Sequence, residues 1–432
     1  MKTDDKRSAF PEDFRRRDLQ QRRELVLARL GPDPDERSCS LPDGSPSELA
    51  DVMVESAIGV VPLPLGVACG FRIDGLRVDI PMAVEEPSVV AAASFAGRLV
   101  AKGGGFSTRA MEPVMSAQVY LSGVAEAGYS ALQAAGREVA ATLAPMLAGL
   151  DRRGGGFRGY RCARIAGPAL VRAEIDVDVR DAMGANILNS AAEALRPLLE
   201  TLSGGRALMC ILTNAALERR AAASFSLTLA ELGRACPPGW EGPECADRIV
   251  LASQLAAADP LRAVTHNKGI MNGIASLALA TMNDYRAIEA AAHAWAARDG
   301  SYRGLGSYRV EGDCLCGELE LPLPFATVGG ALSLHPSAHL ALRMLGNPDA
   351  TGLARIAAAL GLAQNLAALL ALVTTGIQSG HMRLHAARLA YMAGARGAAV
   401  RRVAGIMAAR GSLSPSDAEA ILAELAEEEP VP

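Results

Sequence analysis

Lysine is almost missing from the body of this chain: beyond the first six residues only Lys102 and Lys268 occur, and arginine carries nearly all other positive charge. A lysine kept in that background needs a reason. The eight cysteines, at 39, 69, 162, 210, 236, 245, 314 and 316, include no Cys-x-x-Cys. This argues against a zinc ribbon or a disulfide framework and for reduced, mostly buried thiols. There is no excess of either charge, since the formal net charge is -4 over 432 residues, so nothing pulls the protein toward nucleic acid or acidic membranes. No Gly-x-Gly-x-x-Gly fingerprint, internal repeat or low-complexity tract is present. The first eighteen residues, MKTDDKRSAFPEDFRRRD, are too polar for a signal peptide, and a cytoplasmic protein is expected. A single uncharged run, Ile356 to Thr375, is long enough to span a bilayer. It is rich in alanine, carries Gln364 and Asn365 at its centre and lacks an aromatic belt. It therefore reads as a helix buried inside a large domain, with no membrane partner.

A chain of this length is expected to hold two or three domains. An N-terminal arm with Arg15, Arg16, Arg17, Arg22 and Arg23 on a helix precedes a loop rich in Pro, Asp and Ser. Apolar helical spacing from Leu49 runs into Glu55–Gly59, and GFRIDGLRVDIPMAV alternates like a hairpin. From Pro113 to Asn214 the pattern is strand, helix, strand, helix, strand, which suggests a compact α+β nucleotide-binding domain inserted in a larger unit. Helix then dominates, apart from a hairpin-like stretch, RVEGDCLCGELELPLP.

Four constellations could carry chemistry. Glu85 and Glu86 are adjacent, between PMAV and a Pro-Ser helix start. A buried carboxyl there would have a raised pKa and could serve as a general acid, while the plain alternative is favourable charge at a helix N-terminus. Lys268 lies in THNKGIMNG with Asp284 one segment later. Its ammonium could donate to a developing oxyanion, held and aimed by the aspartate, although an isolated lysine is more often a solvated charge. The pairs His335/His339 and His381/His385 have i, i+4 spacing, but neither shows the glutamate of a His-Glu-x-x-His site or a clear third ligand, so no metal is expected. His381, just past the Gly-Ile-Gln-Ser-Gly stretch, suits a proton donor on a movable segment. Finally, Asp181-Ala182-Met183-Gly184-Ala185-Asn186 follows a strand and opens a helix, where backbone N–H groups and the helix dipole could take a pyrophosphate.

Taken together and in this order, EEPSVVAAAS, DAMGAN, DPLRAVTHNKGIMNG with MNDYR, and GHM resemble the hydroxymethylglutaryl-CoA (HMG-CoA) reductase family, in its soluble bacterial class II, degradative type. The resemblance implies catalytic roles for Glu86, Lys268, Asp284 and His381. It places Ser88, Arg262 and Asn272 on the substrate, and Asp181, Met183, Gly184, Ala185 and Asn186 on a dinucleotide.

The fold it implies is a multidomain α+β protein. A mainly helical large domain surrounds a central buried helix near 353–375, a ferredoxin-like small domain binds the dinucleotide, and the C-terminus forms a helical flap. The expected division is 1–112 (arm and substrate-binding segment), 113–215 (small domain), 216–376 (catalytic Lys and Asp, central helix) and 377–432 (flap). The implied substrates are HMG-CoA, mevalonate and CoA, and the implied assembly is a homodimer or larger with interfacial sites. Glu55-Ser56-Ala57-Ile58-Gly59 stands where the family has Glu-Asn-Val-Ile-Gly.

NAD is the favoured cofactor and NADP the alternative. Leu147 occupies the position where NAD-preferring members place an aspartate, with Asp151, Arg152 and Arg153 just beyond. The competing readings are an NADP-dependent biosynthetic reductase, another acyl-CoA or aldehyde oxidoreductase, or a helical assembly or membrane-associated protein with no enzymatic role.

Overall fold

The computed structural model describes residues 10–11, 13–14, 17–31, 47–56, 58, 60–165, 170–376, 386–411 and 414–428. Strands β1 (Leu65–Ile73) and β2 (Leu76–Ala83) form the first expected hairpin. Its turn residues Asp74 and Gly75 both have positive φ, 49° and 83°, a pairing that matches the twist of a tight two-residue turn. The arm is fastened to this hairpin. Asp79, 2 % exposed, accepts from the Phe10 and Gly70 backbone N–H groups and pairs with Arg29 at 2.7 Å. The arm helix is Leu19–Leu30, begun by an Asp18–Gln21 capping box. Of the five arginines expected on it, it holds Arg22 and Arg23; Arg17 precedes it, and Arg15 and Arg16 lie outside the described residues.

A second sheet runs antiparallel in the order β3 (Ser107–Ala110), β8 (Arg220–Thr228), β10 (Cys314–Pro322), β9 (Gly306–Glu311). The hairpin of β9 and β10 is the expected one. The alanine-rich β8 falls where helix was expected. Its run Ala221-Ala222-Ala223 is small because the Ala350–Val373 helix packs on this strand.

The third sheet has the order β5 (Gly156–Arg164), β6 (Leu170–Asp178), β4 (Val114–Ser122), β7 (Arg206–Leu212), antiparallel throughout. Helices Gly136–Asp151 and Ala185–Ser203 pack on it, and the β-α-β-β-α-β order is ferredoxin-like. The sequence pattern showed three of these strands. The fourth, β5, is an edge strand rich in glycine and arginine that resembles a turn, and Arg161 anchors it to Glu174 and Asp176 of β6. This sheet has its own core, including Val119, Leu143, Leu147, Ile175 and Leu195.

The Ala350–Val373 helix is the one described helix long and apolar enough to cross a membrane, and 83 % of its most apolar window is buried inside the protein. It starts three residues before the expected bound, at an Asp349 cap that accepts from Gly352 N–H at 2.6 Å. Gln364 and Asn365 are buried with it. Residues 386–392 and helices Ala398–Arg410 and Pro415–Glu428 share a small core of Leu389, Val403, Met407 and Ile421. The chain is thus a multidomain α+β protein.

Candidate active site

Lys268 projects from a 21-residue helix, Pro260–Ala280, begun by an Asp259 cap on Leu261 N–H and by Pro260 in the first turn. One face of this lysine helix, with Ala263, Ile270, Ile274 and Leu277, is buried; Leu261, Val264, Thr265 and Lys268 point outward. It crosses the central helix at close range because both helices carry a glycine at the contact. A Cβ on Gly361 would lie 2.8 Å from Ile274 Cδ1, and one on Gly273 3.2 Å from Leu360 Cγ.

The end of β2 delivers Glu86 to this helix, and Lys268 Nζ donates to Glu86 Oε2 at 3.0 Å. The side chains remain 61 % and 40 % exposed, so the buried carboxyl considered for this segment is not found, and an open ion pair stands in its place with Glu85 exposed beside it. Two residues on, Ser88 caps the Val89–Lys102 helix in a left-handed conformation, φ 78°, without using its side chain as a cap. Its hydroxyl oxygen is buried and without a hydrogen-bond partner. A non-glycine residue held there at positive φ stores strain of the kind that collects at ligand sites.

The remaining expected residues are only partly gathered. Asn272 lies one turn beyond Lys268 on the same face and is half-buried; Arg262, also half-buried, is rotated by about 120° around the helix. Asp284 caps the Tyr285–Ala296 helix, accepting from Ala287 N–H at 3.1 Å and pairing with Arg286 at 3.5 Å. Among the described residues it forms no ion pair with Lys268. His381 and His385 lie outside the described residues. His335 caps the Pro336–Met344 helix through Ser337 N–H, and His339 faces the Ser333 carbonyl. No group of three or more His, Cys, Asp or Glu among the described residues is placed to hold a metal. An open cleft of about 560 Å³ on the second sheet, lined by Arg109, Ser224, Trp295, Arg298 and Glu320, contains none of the expected site residues.

In the third sheet's domain, Gly184 caps the Ala185–Ser203 helix at φ 92° with no side-chain cap. A Cβ there would lie 2.6 Å from Val179 Cγ1, so glycine is required for both conformation and space. The first-turn N–H groups are left for an incoming acceptor, which fits a dinucleotide phosphate. Asp181 is turned the other way, accepting from Ala350 N–H at 2.9 Å at the start of the central helix. Met183 and Ala185 are half-buried, and Asn186 is exposed. Leu147 is 1 % exposed in the core and cannot touch a ribose. Asp151, Arg152 and Arg153 are exposed at the end of the same helix, and the glycine turn after them packs on Arg180, next to Asp181.

Three residues escaped the sequence reading. Arg219, 4 % exposed, reaches the Arg180–Met183 loop, and burial lowers its pKa to about 10, partly offset by Asp178 and Asp181. Asn283 clamps the Ala326 backbone, accepting its N–H at 2.7 Å and donating to its carbonyl at 3.1 Å. His266, on the lysine helix, is buried with neither ring nitrogen partnered; burial, with Arg262 nearby, pushes its pKa down to about 4. An adjoining Arg220 hid the first, the second sat beside a more conspicuous aspartate, and the third looked like part of the lysine motif.

The chain thus carries an exposed Lys–Glu pair beside a strained serine and, in a separate sheet's domain, helix N–H groups open to a phosphate, a combination that suits an oxidoreductase using a dinucleotide. The model of the family "Hydroxymethylglutaryl-coenzyme A reductase" matches residues 18–386. The 3-hydroxy-3-methylglutaryl-coenzyme A reductase of Archaeoglobus fulgidus is 42 % identical over 422 residues, 95 % of this chain and 94 % of that protein. A probable 3-hydroxy-3-methylglutaryl-coenzyme A reductase of Borreliella burgdorferi is 34 % identical over 79 % of this chain and 78 % of its own length. Among solved structures, the Streptococcus pneumoniae reductase superposes with a TM-score of 0.80 at 40 % identity, covering 96 % of this chain and 99 % of that one. The class II reductase of the same organism bound to NADPH gives 0.79 at 40 % identity over 95 % and 100 %. The chain belongs to the hydroxymethylglutaryl-coenzyme A reductase family and is an oxidoreductase of that family.

Proposed function

We propose that the protein interconverts HMG-CoA and mevalonate plus CoA through two successive hydride transfers. The observation that carries the reading is the 3.0 Å Lys268–Glu86 contact beside the unpartnered Ser88 hydroxyl. When bound, the reduced nicotinamide supplies the hydride for each step. Lys268 donates to the thioester oxygen as negative charge develops, which is where a fixed ammonium stabilises most. Glu86, already hydrogen-bonded to that ammonium, passes a proton to the oxygen of mevaldehyde. Ser88, Arg262 and Asn272 hold the substrate, and His381 protonates the departing thiolate. Asp284 is assigned to organise this network, and the catalytic geometry is completed in an oligomer of at least two copies.

The dinucleotide is held at Gly184, Ala185 and Asn186, with Met183 and Asp181 shaping the loop. NAD is the first reading, with the Asp151 carboxylate meeting the ribose 2′-hydroxyl. NADP is the second, favoured by the exposed Arg152 and Arg153 and by the NADPH-bound relative. The test follows nicotinamide absorbance with mevalonate, CoA and either cofactor. Reduction that requires both mevalonate and CoA is the expected result, and the ratio of kcat/KM values selects the cofactor. Silence with both cofactors would remove the assignment.

A further inference from the structure

Arg219 is a buried guanidinium that, among the described residues, forms no ion pair. Its hydrogen bonds go instead to four backbone carbonyls. Nη1 donates to Ala182 O at 3.0 Å and Met183 O at 3.5 Å, and Nη2 donates to Arg180 O at 3.5 Å and to Phe325 O. Three of these carbonyls belong to the loop that leads into the Ala185–Ser203 helix. In a trans peptide the C=O and the following N–H point in opposite directions. Drawing the Met183 carbonyl inward therefore turns Gly184 N–H away from Arg219. The same contact removes from the side away from Arg219 carbonyl oxygens that would repel an anion.

The fourth carbonyl extends the effect. Phe325 precedes Ala326, which Asn283 grips beside Asp284, and Thr327 N–H donates to Asp181 O at 2.9 Å. One short segment, 325–327, is thus bonded on one side to the loop before the helix and on the other to the loop of the aspartate.

We infer that Arg219 is a positioning residue, which orients the peptides of residues 180–184 so that the backbone N–H groups at the helix start face the phosphates of the dinucleotide. The inference rests on the cofactor site proposed above. It is specific about chemistry: Arg219 acts on the phosphate-bearing part of the ligand and leaves the nucleoside untouched.

The test compares the full chain with its Arg219→Met and Arg219→Lys variants, titrated with the dinucleotide, ADP and adenosine by calorimetry or ligand-observed NMR. Methionine should weaken dinucleotide and ADP by roughly tenfold, the equivalent of one good hydrogen bond, with adenosine within a factor of two. Lysine, which keeps the charge but cannot reach four carbonyls, should fall between. A merely structural residue would weaken ADP and adenosine alike, and that outcome, or unchanged ADP binding by Arg219→Met, overturns the inference. Should both variants fail to fold, Arg219→Gln, which keeps an N–H donor near these carbonyls without the charge, takes their place and is judged by the same comparison of ADP with adenosine. A wild-type chain that binds neither dinucleotide nor ADP removes the cofactor-site reading itself, a result distinct from any of these.

Discussion

Lys268 owes its exposure to helical phase, since it shares the outward face with Leu261, Val264 and Thr265 while its neighbours His266 and Asn267 turn inward. Removing its amine should therefore leave the fold intact. Lys268→Ala is expected to lower kcat by about 10² to 10³, the usual loss for one oxyanion donor, in both directions and with unchanged circular dichroism; near-normal turnover would discard the mechanism. His266 behaves in the opposite way. Its pKa is pushed down to about 4 from an ordinary 6.5, so the unfolded chain binds the proton first as the pH falls. Stability is unaffected above about pH 6.5 and declines below it, with a slope of at most about 1.4 kcal/mol per pH unit, until the folded group titrates. Denaturant titrations at pH 7 and pH 5 should show that decline in the wild type and a shallower one in His266→Asn. Equal slopes would mean that the ring is not buried as a neutral group.

The lysine helix and the central helix it packs against depend on glycine at their crossing. Gly361→Val would drive a side chain into Ile274 and should cost about 1–3 kcal/mol by overpacking. The displaced lysine helix should also lower activity at temperatures where the variant is still folded. A variant as stable and as active as the wild type would show that the close approach is dispensable.

Elements of this kind differ in how openly the sequence announces them. Asp-Gly and Gly-Asp between alternating apolar residues marked both hairpins, and an uncharged run marked the central helix. The edge strand β5 and the alanine-rich β8 did not stand out. The first is fixed by ion pairs to a neighbouring strand, and the second has small residues for the sake of the helix above it, neither of which is a local property. The same division holds at the site. Glu86 and Lys268 could be picked out because their motifs are local, and their contact spans 182 residues. Arg219 could not, because its part depends on which way four carbonyls point.

At the scale of the whole molecule, several large apolar side chains are left open to solvent. Val52 is 76 % exposed, Ile58 105 %, Val61 90 % and Leu261 84 %, with Leu251, Leu255 and Val264 more than half exposed. Ile58 belongs to the segment that the family resemblance places between subunits, and Leu261 sits two turns before Lys268 on the same face. Scattered apolar residues are ordinary on a surface, but Leu261 and Val264 share the outward face of Lys268, and an apolar face beside a charged group suits a second copy of the chain. Burying it would also take the Lys268–Glu86 pair out of bulk water and into a medium of lower dielectric constant, where its hydrogen bond and its field on a substrate are stronger. The wild type should sediment as a dimer or larger at micromolar concentration. Ile58→Glu, far from the charged pair in sequence, should raise the dissociation constant by roughly 30-fold, as expected for losing about 2 kcal/mol of a central contact. Its activity should recover as the protein concentration is raised. Monomeric wild-type protein with full specific activity would refute the shared site, whereas an Ile58→Glu monomer that regains activity with concentration would tie assembly directly to catalysis.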